Sequence, residues 1–218
     1  MNYMSTRPDS SFSAYWNDFY QKRNAGIITT LPSQFAAFCL SEMVERDISF
    51  VHEIGCGNGR DTLFFLRYGI SVSAIDSSLS AIKSTETLCQ DFKNFSCQRS
   101  DAVSYLNTLE QKTSSNAAFY ARFFLHALTP KGVQLFLRSV SDAMVPGDVV
   151  FLEYRTKKDE HLQKITPKHY RNYLDPKIVI NEFDDCGMKV DFQAEALGFA
   201  KLGNDNAFTC RQMFTKAI

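Results

Sequence analysis

The sequence predicts an α/β fold: a doubly wound, Rossmann-like sheet of five parallel strands ending in an antiparallel hairpin, with helices on both faces. Three observations point to it. Short apolar runs alternate with helical stretches, the signature of strands joined by crossover helices. A glycine-rich turn, "GCGNGR", joins the first apolar run to the first helical one. The last part of the chain holds two strand-like runs separated by a turn-rich segment, which reads as a hairpin.

In chain order, "SFVHEIG" is a buried-strand pattern and "RDTLFFLRYG" a helix closed by Gly69. "SVSAID" is the second strand and "SLSAIKSTETLCQDF" an amphipathic helix. "FSCQRSDA" is a weaker third strand and "AAFYARFFL" the fourth. "TPKGVQLFLRSVSDAMVPG" is a helix with proline at its start, and "DVVFLEYRT" the fifth strand. "KVDFQAEALGFA" and "AFTCRQMFTKA", joined by "KLGNDN", form the hairpin. The polar segment 156–176, "TKKDEHLQKITPKHYRNYLDP", reads as an insertion over the mouth of the sheet, where loops carry function. Residues 1–47, with Tyr15, Trp16 and Tyr20 on one helix, read as a helical cap.

Composition narrows the function. With 218 residues, 44% apolar and 22% charged, the chain suits one packed domain rather than a disordered one. A net formal charge of zero argues against a nucleic-acid binder, which carries a basic surplus or stripe. Six cysteines at positions 39, 56, 89, 97, 186 and 210 form no C-x-x-C pair and no zinc spacing, so they read as reduced thiols. The opening residues lack the charged and apolar regions of a signal peptide, and no apolar run is long enough for a membrane span. The expectation is a cytoplasmic protein, monomer or homodimer, that acts on a small molecule and not on nucleic acid or membrane.

The glycine turn does not fit a dinucleotide fingerprint. G-x-G-x-x-G requires a third glycine where this chain has Arg60 or Thr62. The spacing here is acid-x-G-x-G-x-G, from Glu53 through Gly55, Gly57 and Gly59. The glycines let backbone approach a ligand closely. Glu53 suits ordering of the loop or an ammonium group, and pyrophosphate would be repelled by it. Asp76 ends the second strand, where a ribose diol can donate to it, and Asp101 follows the third, in reach of an adenine amino group. Acids at three successive strand ends suit a cationic ligand carrying ribose and adenine. S-adenosylmethionine (SAM) is such a ligand.

"HEIGCGNGR", "AIDSS" and "RSDA" resemble the first three motifs of the class I SAM-dependent methyltransferases, and the resemblance extends over nearly the whole chain, 1–218 as one domain. It implies that Gly55, Cys56, Gly57 and Gly59 cradle the methionine portion. Asp76 and Ser77 then hold the ribose, and Asp101 with Ala102 frames the adenine. Arg60 can pair with the SAM carboxylate, and Tyr15, Trp16 and Tyr20 can close over the cofactor, whose product is S-adenosylhomocysteine (SAH).

The end of the fourth strand discriminates within the family. Methylases of base amino groups resemble one another in a D/N-P-P-Y tetrapeptide there, and metal-dependent catechol-type relatives in an aspartate; this chain has "YARFFLHAL". Neither a nucleobase amine nor a required divalent ion is expected. Arg122 and His126, with Tyr120 before them, fall where methyl transfer occurs. Histidine suits removal of a hydroxyl proton near neutral pH.

Arg155, His169, Tyr170, Arg171 and Arg211 add cations and an aromatic for an acceptor pocket, because guanidinium forks match phosphate and carboxylate. "HYR", "EALGFA" and an arginine in the last strand resemble a bacterial methyltransferase subgroup associated with surface-polysaccharide gene clusters, although Asn172 replaces the second arginine of its H-Y-R-R pattern. The expected activity is methyl transfer from SAM to oxygen or nitrogen of a small anionic metabolite: phosphorylated, phosphoramidate-like or carboxylate. The competing reading is a SAM-binding sensor or non-catalytic subunit.

Overall fold

A computed structural model describes residues 10–22, 31–109, 116–164, 169–202 and 204–216. Parts of the expected cap (1–9, 23–30) and of the expected insertion (165–168) lie outside the described residues. The chain runs α1 (Ser10–Lys22), α2 (Gln34–Glu45), β1 (Phe50–Ile54), α3 (Arg60–Arg67), β2 (Ser71–Asp76), α4 (Leu79–Cys89), β3 (Phe95–Arg99) and α5 (Ala102–Leu106). It continues with β4 (Ala117–Arg122), α6 (Pro130–Ala143), β5 (Val149–Arg155), α7 (Pro176–Asp184), β6 (Met188–Leu202) and β7 (Asp205–Lys216).

The sheet order is β3-β2-β1-β4-β5-β7-β6. Strands β1 to β5 are parallel, and β7 pairs antiparallel with both β5 and β6. All five expected parallel strands and the closing hairpin are present. The order reverses between β1 and β4, where Glu53 lies level with Tyr120. In an open α/β sheet that switch point leaves a crevice beyond the strand ends.

Side chains alternate across the central strands, so each face builds its own core. Val51, Ala118, Tyr120, Val149 and Phe151 pack with α2, α3 and α4 on one face. Ile54, Phe119, Ala121, Val150 and Leu152 pack with α5, α6 and α7 on the other. Strand β5 is buried along its full length.

Helices start where the sequence supplies caps. The Ser33, Ser78, Asp101, Thr129 and Asp175 side chains each accept from a backbone N–H in the first turn of α2, α4, α5, α6 and α7. Pro130 and Pro176 occupy first-turn positions, where a missing N–H costs nothing.

The N-terminal segment departs from a simple cap. Helix α2 is a layer of the fold: Phe35, Ala36, Cys39 and Met43 are fully buried against the sheet. Burial of Phe35 alone stabilises by about 2–3 kcal/mol. Only α1 lies outside the sandwich, against α4. The described residues of the 156–176 segment are short on regular structure. A 3₁₀ turn at Lys157–Asp159 and a bridge between Thr156 and Leu174 fold it over the β5 end.

Candidate functional site

The site begins with the turn after β1. Gly55 N and Cys56 N both donate to Ile75 O at the end of β2, which fixes the loop across the strand ends. Gly59 takes φ +79° as it enters α3, and a Cβ there would stand 2.9 Å from the Thr85 backbone on α4. The loop and α4 can close this far only with glycine. Behind the turn, Thr62 Oγ1 on α3 donates to Glu53 Oε2. Burial raises the Glu53 carboxyl well above the carboxylate range, and Asp61 raises it further. Glu53 therefore ties the end of β1 to the first turn of α3.

Asp76 links the loop to β2. Its Oδ2 accepts from Gly57 N at 3.1 Å and its Oδ1 from Ser78 N at 2.8 Å. Ser77 O accepts from Arg99 Nε at 3.0 Å. Asp101 caps α5, its Oδ1 accepting from Val103 N at 3.0 Å, and Ala102 is buried behind it.

Helix α1 closes this side. Asn17 Oδ1 accepts from Ser78 Oγ at 2.7 Å. Tyr20 approaches Gly57 so closely that a Cβ there would lie 2.6 Å from the tyrosine hydroxyl. One turn earlier, Tyr15 stacks on His169 at 4.4 Å and Trp16 meets the same imidazole edge-on at 5.5 Å. One aromatic helix thus touches both the glycine turn and the 156–176 segment.

The β4 end supplies the other side. Arg122 Nε donates to Glu153 Oε1 and Arg211 Nε to Glu153 Oε2, each at 2.8 Å, around a fully buried carboxylate. Burial works most strongly against the Arg122 charge, but Glu153, Asp61 and Tyr120 together outweigh it and hold the guanidinium above its ordinary range. Arg60 Nε lies 3.8 Å from Asp61 Oδ1, and burial followed by repulsion from Arg122 lowers the Arg60 pKa. Glu153 and Asp61 offset part of this repulsion at the switch point.

His126 sits in a 3₁₀ turn, Leu125–Ala127, and is 4% exposed. Its carbonyl accepts from Asn172 N at 2.8 Å, while Nδ1 is buried with no hydrogen-bond partner among the described residues. Burial holds the imidazole well below the ordinary range, and Arg155, Arg171, His169 and Arg122 add to the effect in that order. It is a neutral ring in a cationic setting.

Residues 51–147 match the family described as Methyltransferase domain. No curated protein matches the chain. Solved structures do. One, from work on the conversion of a disulfide bond into a thioacetal group during echinomycin biosynthesis, is 15% identical with a TM-score of 0.71, covering 94% of this chain and 92% of its own. A SAM-dependent methyltransferase from Anabaena variabilis is 15% identical, with a TM-score of 0.68 and coverage of 98% and 99%. The glycopeptide N-methyltransferase MtfA, complexed with sinefungin, is 14% identical, with a TM-score of 0.63 and coverage of 85% and 88%. Across its length the chain shares the fold of these methyltransferases, and residues 51–147 carry the domain match.

The residues of this site fit SAM as cofactor. The glycine turn offers bare backbone that Tyr20 of α1 covers at Gly57, Asp76 places a carboxylate at the β2 end, and Arg60 opens α3 beside the turn. Some residues predicted from sequence belong elsewhere. Tyr120 was expected beside the reaction, but its hydroxyl points into the core and donates to Asp61 Oδ2 at 2.8 Å. Its ring stacks on Phe35.

Arg155 was expected in the acceptor pocket. It is instead a pin, donating to Asp159 and Asp205 at 2.7 Å each, and so ties the 156–176 segment to β7. Arg211 is likewise held by Glu153 and by Phe199 O. Tyr170 is 38% exposed, facing outward, whereas His169 and Arg171 lie on the His126 side. Sequence reasoning missed Glu153, Asp61 and Asn17. For Glu153 a signal existed: an acid inside the apolar strand "VVFLEYR" must find cations.

No helix among the described residues is long and apolar enough to cross a membrane.

Proposed function

We propose that the enzyme transfers the SAM methyl group to oxygen or nitrogen of a small anionic metabolite, with a phosphoryl, phosphoramidate or carboxylate group as the anion. The observation that carries this reading is His126: a buried Nδ1 with no partner among the described residues, in a setting made cationic by Arg122, Arg155, Arg171 and His169. An unpaired buried nitrogen costs free energy until a ligand meets it. The acceptor anion meets this side of the site in addition to Glu153, Asp159 and Asp205, which already hold Arg122 and Arg155.

In this reading Gly55, Cys56, Gly57 and Gly59 cradle the methionine portion, Asp76 with Ser77 takes the ribose, and Asp101 with Ala102 frames the adenine. Arg60 and Arg122 hold the methionine carboxylate. Helix α1, through Tyr15, Trp16 and Tyr20, closes over the cofactor, and the 156–176 segment covers the acceptor. Bound SAM supplies an electrophilic sulfonium methyl, and the protein aligns the nucleophile behind it. An acceptor that carries a proton gives it to His126 Nδ1, neutral at physiological pH. The bound anion offsets the neighbouring cations and restores basicity to the ring.

The test is SAH release from SAM with metabolites sorted into anionic, amine-bearing and neutral pools. Turnover confined to the anionic pool is expected. Turnover confined to amines or neutral alcohols would make the arginines a structural network only, and SAH binding with no turnover in any pool would favour a sensor or subunit.

A further inference from the structure

Phe123 follows the last residue of β4 and has φ +54°. Asp47 is the other non-glycine described residue with positive φ, and a short polar side chain tolerates that region far better than a bulky aromatic one. A left-handed phenylalanine is held only where its surroundings over-determine it, and such strain collects at functional sites. Here Phe123 N donates to Glu153 O at 2.7 Å, locking the strained residue to β5.

The consequence is that two consecutive rings serve two different sites. Phe124 packs over Gly55, its Cδ2 3.0 Å from where a Cβ would stand, and against Phe136. The Phe123 ring has the Arg122 guanidinium at 4.5 Å and the Arg155 guanidinium at 5.3 Å. The His126 imidazole meets it edge-on, centroids 5.3 Å apart. Three groups on three successive parts of the chain share one half-buried aromatic. A ring face attracts cations, and a ring fixes an imidazole by edge contact.

We propose that Phe123 is the positioning residue of the acceptor side: its left-handed turn places one ring, backed by the Arg122 and Arg155 guanidiniums, as the template that orients His126 toward the acceptor. This rests on the reading of the His126 side as the acceptor site.

The test uses the full chain saturated with SAH and needs no acceptor. Nitrogen-15 spectra of the His126 imidazole are recorded across pH for the wild type, Phe123→Gly, Phe123→Leu and Phe123→Tyr. Glycine adopts the same backbone without strain, so its melting temperature is expected at or above that of the wild type. Yet its His126 should lose the single wild-type tautomer and titrate at higher pH. Tyrosine should preserve the wild-type spectrum. Leucine, which fills space without a ring, should not.

A glycine variant with wild-type His126 behaviour would overturn the proposal, as would full rescue by leucine. Binding of methyl phosphate to the SAH-loaded wild type, read by calorimetry, separately tests the anionic-acceptor reading. Its absence would sink that reading while the imidazole spectra still decide the role of Phe123.

Discussion

Asn17 on α1 accepts a 2.7 Å hydrogen bond from the hydroxyl of Ser78, the same hydroxyl that caps α4 next to Asp76. The outlying helix is therefore latched to the cofactor side through Asn17, which also accepts from Ser80 N at 3.4 Å, with the aromatic packing around it. Replacing Asn17 with alanine should loosen α1 by about 0.5–1.5 kcal/mol and weaken SAH binding about two- to tenfold. Trp16, the only tryptophan in the chain, gives the readout by its fluorescence. Unchanged SAH affinity would mean that α1 is no part of the cofactor enclosure.

Tyr120→Phe separates core from catalysis. The lost hydroxyl leaves Asp61 with Ser33 N at 2.7 Å and Ser33 Oγ at 2.9 Å as its remaining close donors. Stability should fall by about 1–3 kcal/mol in urea unfolding. SAH release per folded molecule should stay within about twofold of the wild type. A tenfold or larger loss of turnover in a stably folded variant would return Tyr120 to the reaction.

The strands were legible because each is a short apolar run between turn residues, and the glycine turn because its spacing excludes a dinucleotide loop. Helix α7 is hard to read from sequence although Asp175, Pro176, Val179 and Phe183 mark it by cap and period. Its first turn merges with the polar insertion before it. Helix α2 was read as cap because nothing local distinguishes a helix that covers a ligand from one that covers a sheet.

Within the site, the residues bearing charge were found and their partners were not. Which acid meets Arg211 is set by the antiparallel register that places it level with Glu153. Residues 58 positions apart carry no pattern that announces such a pair. Arg155 is similar: its two acids come from a 3₁₀ turn and from the start of β7.

Glu153→Ala tests that network. The buried carboxylate holds Arg122 on one side and Arg211 on the other, and its removal leaves two guanidiniums without their shared anion. Loss of one partner from a buried ionic cluster costs about 3–5 kcal/mol. The expected result is a large fall in the denaturant midpoint, partly recovered by added phosphate or sulfate occupying the vacated place. A loss below about 1 kcal/mol would show the arginines to be solvated rather than dependent on Glu153.

The His126 imidazole is held well below its unperturbed value of 6.5, first by burial and then by the surrounding cations. The unfolded chain therefore binds a proton that the folded chain refuses. The sign follows from linkage: stability from this group is complete above pH 6.5 and is lost as pH falls from there toward the lower folded value. Urea unfolding at about pH 7.5 and about pH 5 should show a larger loss for the wild type than for His126→Gln, which has no proton to take up. In turnover the same substitution separates base from orienter. If His126 removes a proton, the variant rate should collapse and recover as pH rises; if the acceptor atom is already ionised, a pH-independent residual rate should remain. Equal pH sensitivity of wild type and variant in unfolding would mean that His126 is charged in the folded protein, and the neutral-base mechanism would fall with it.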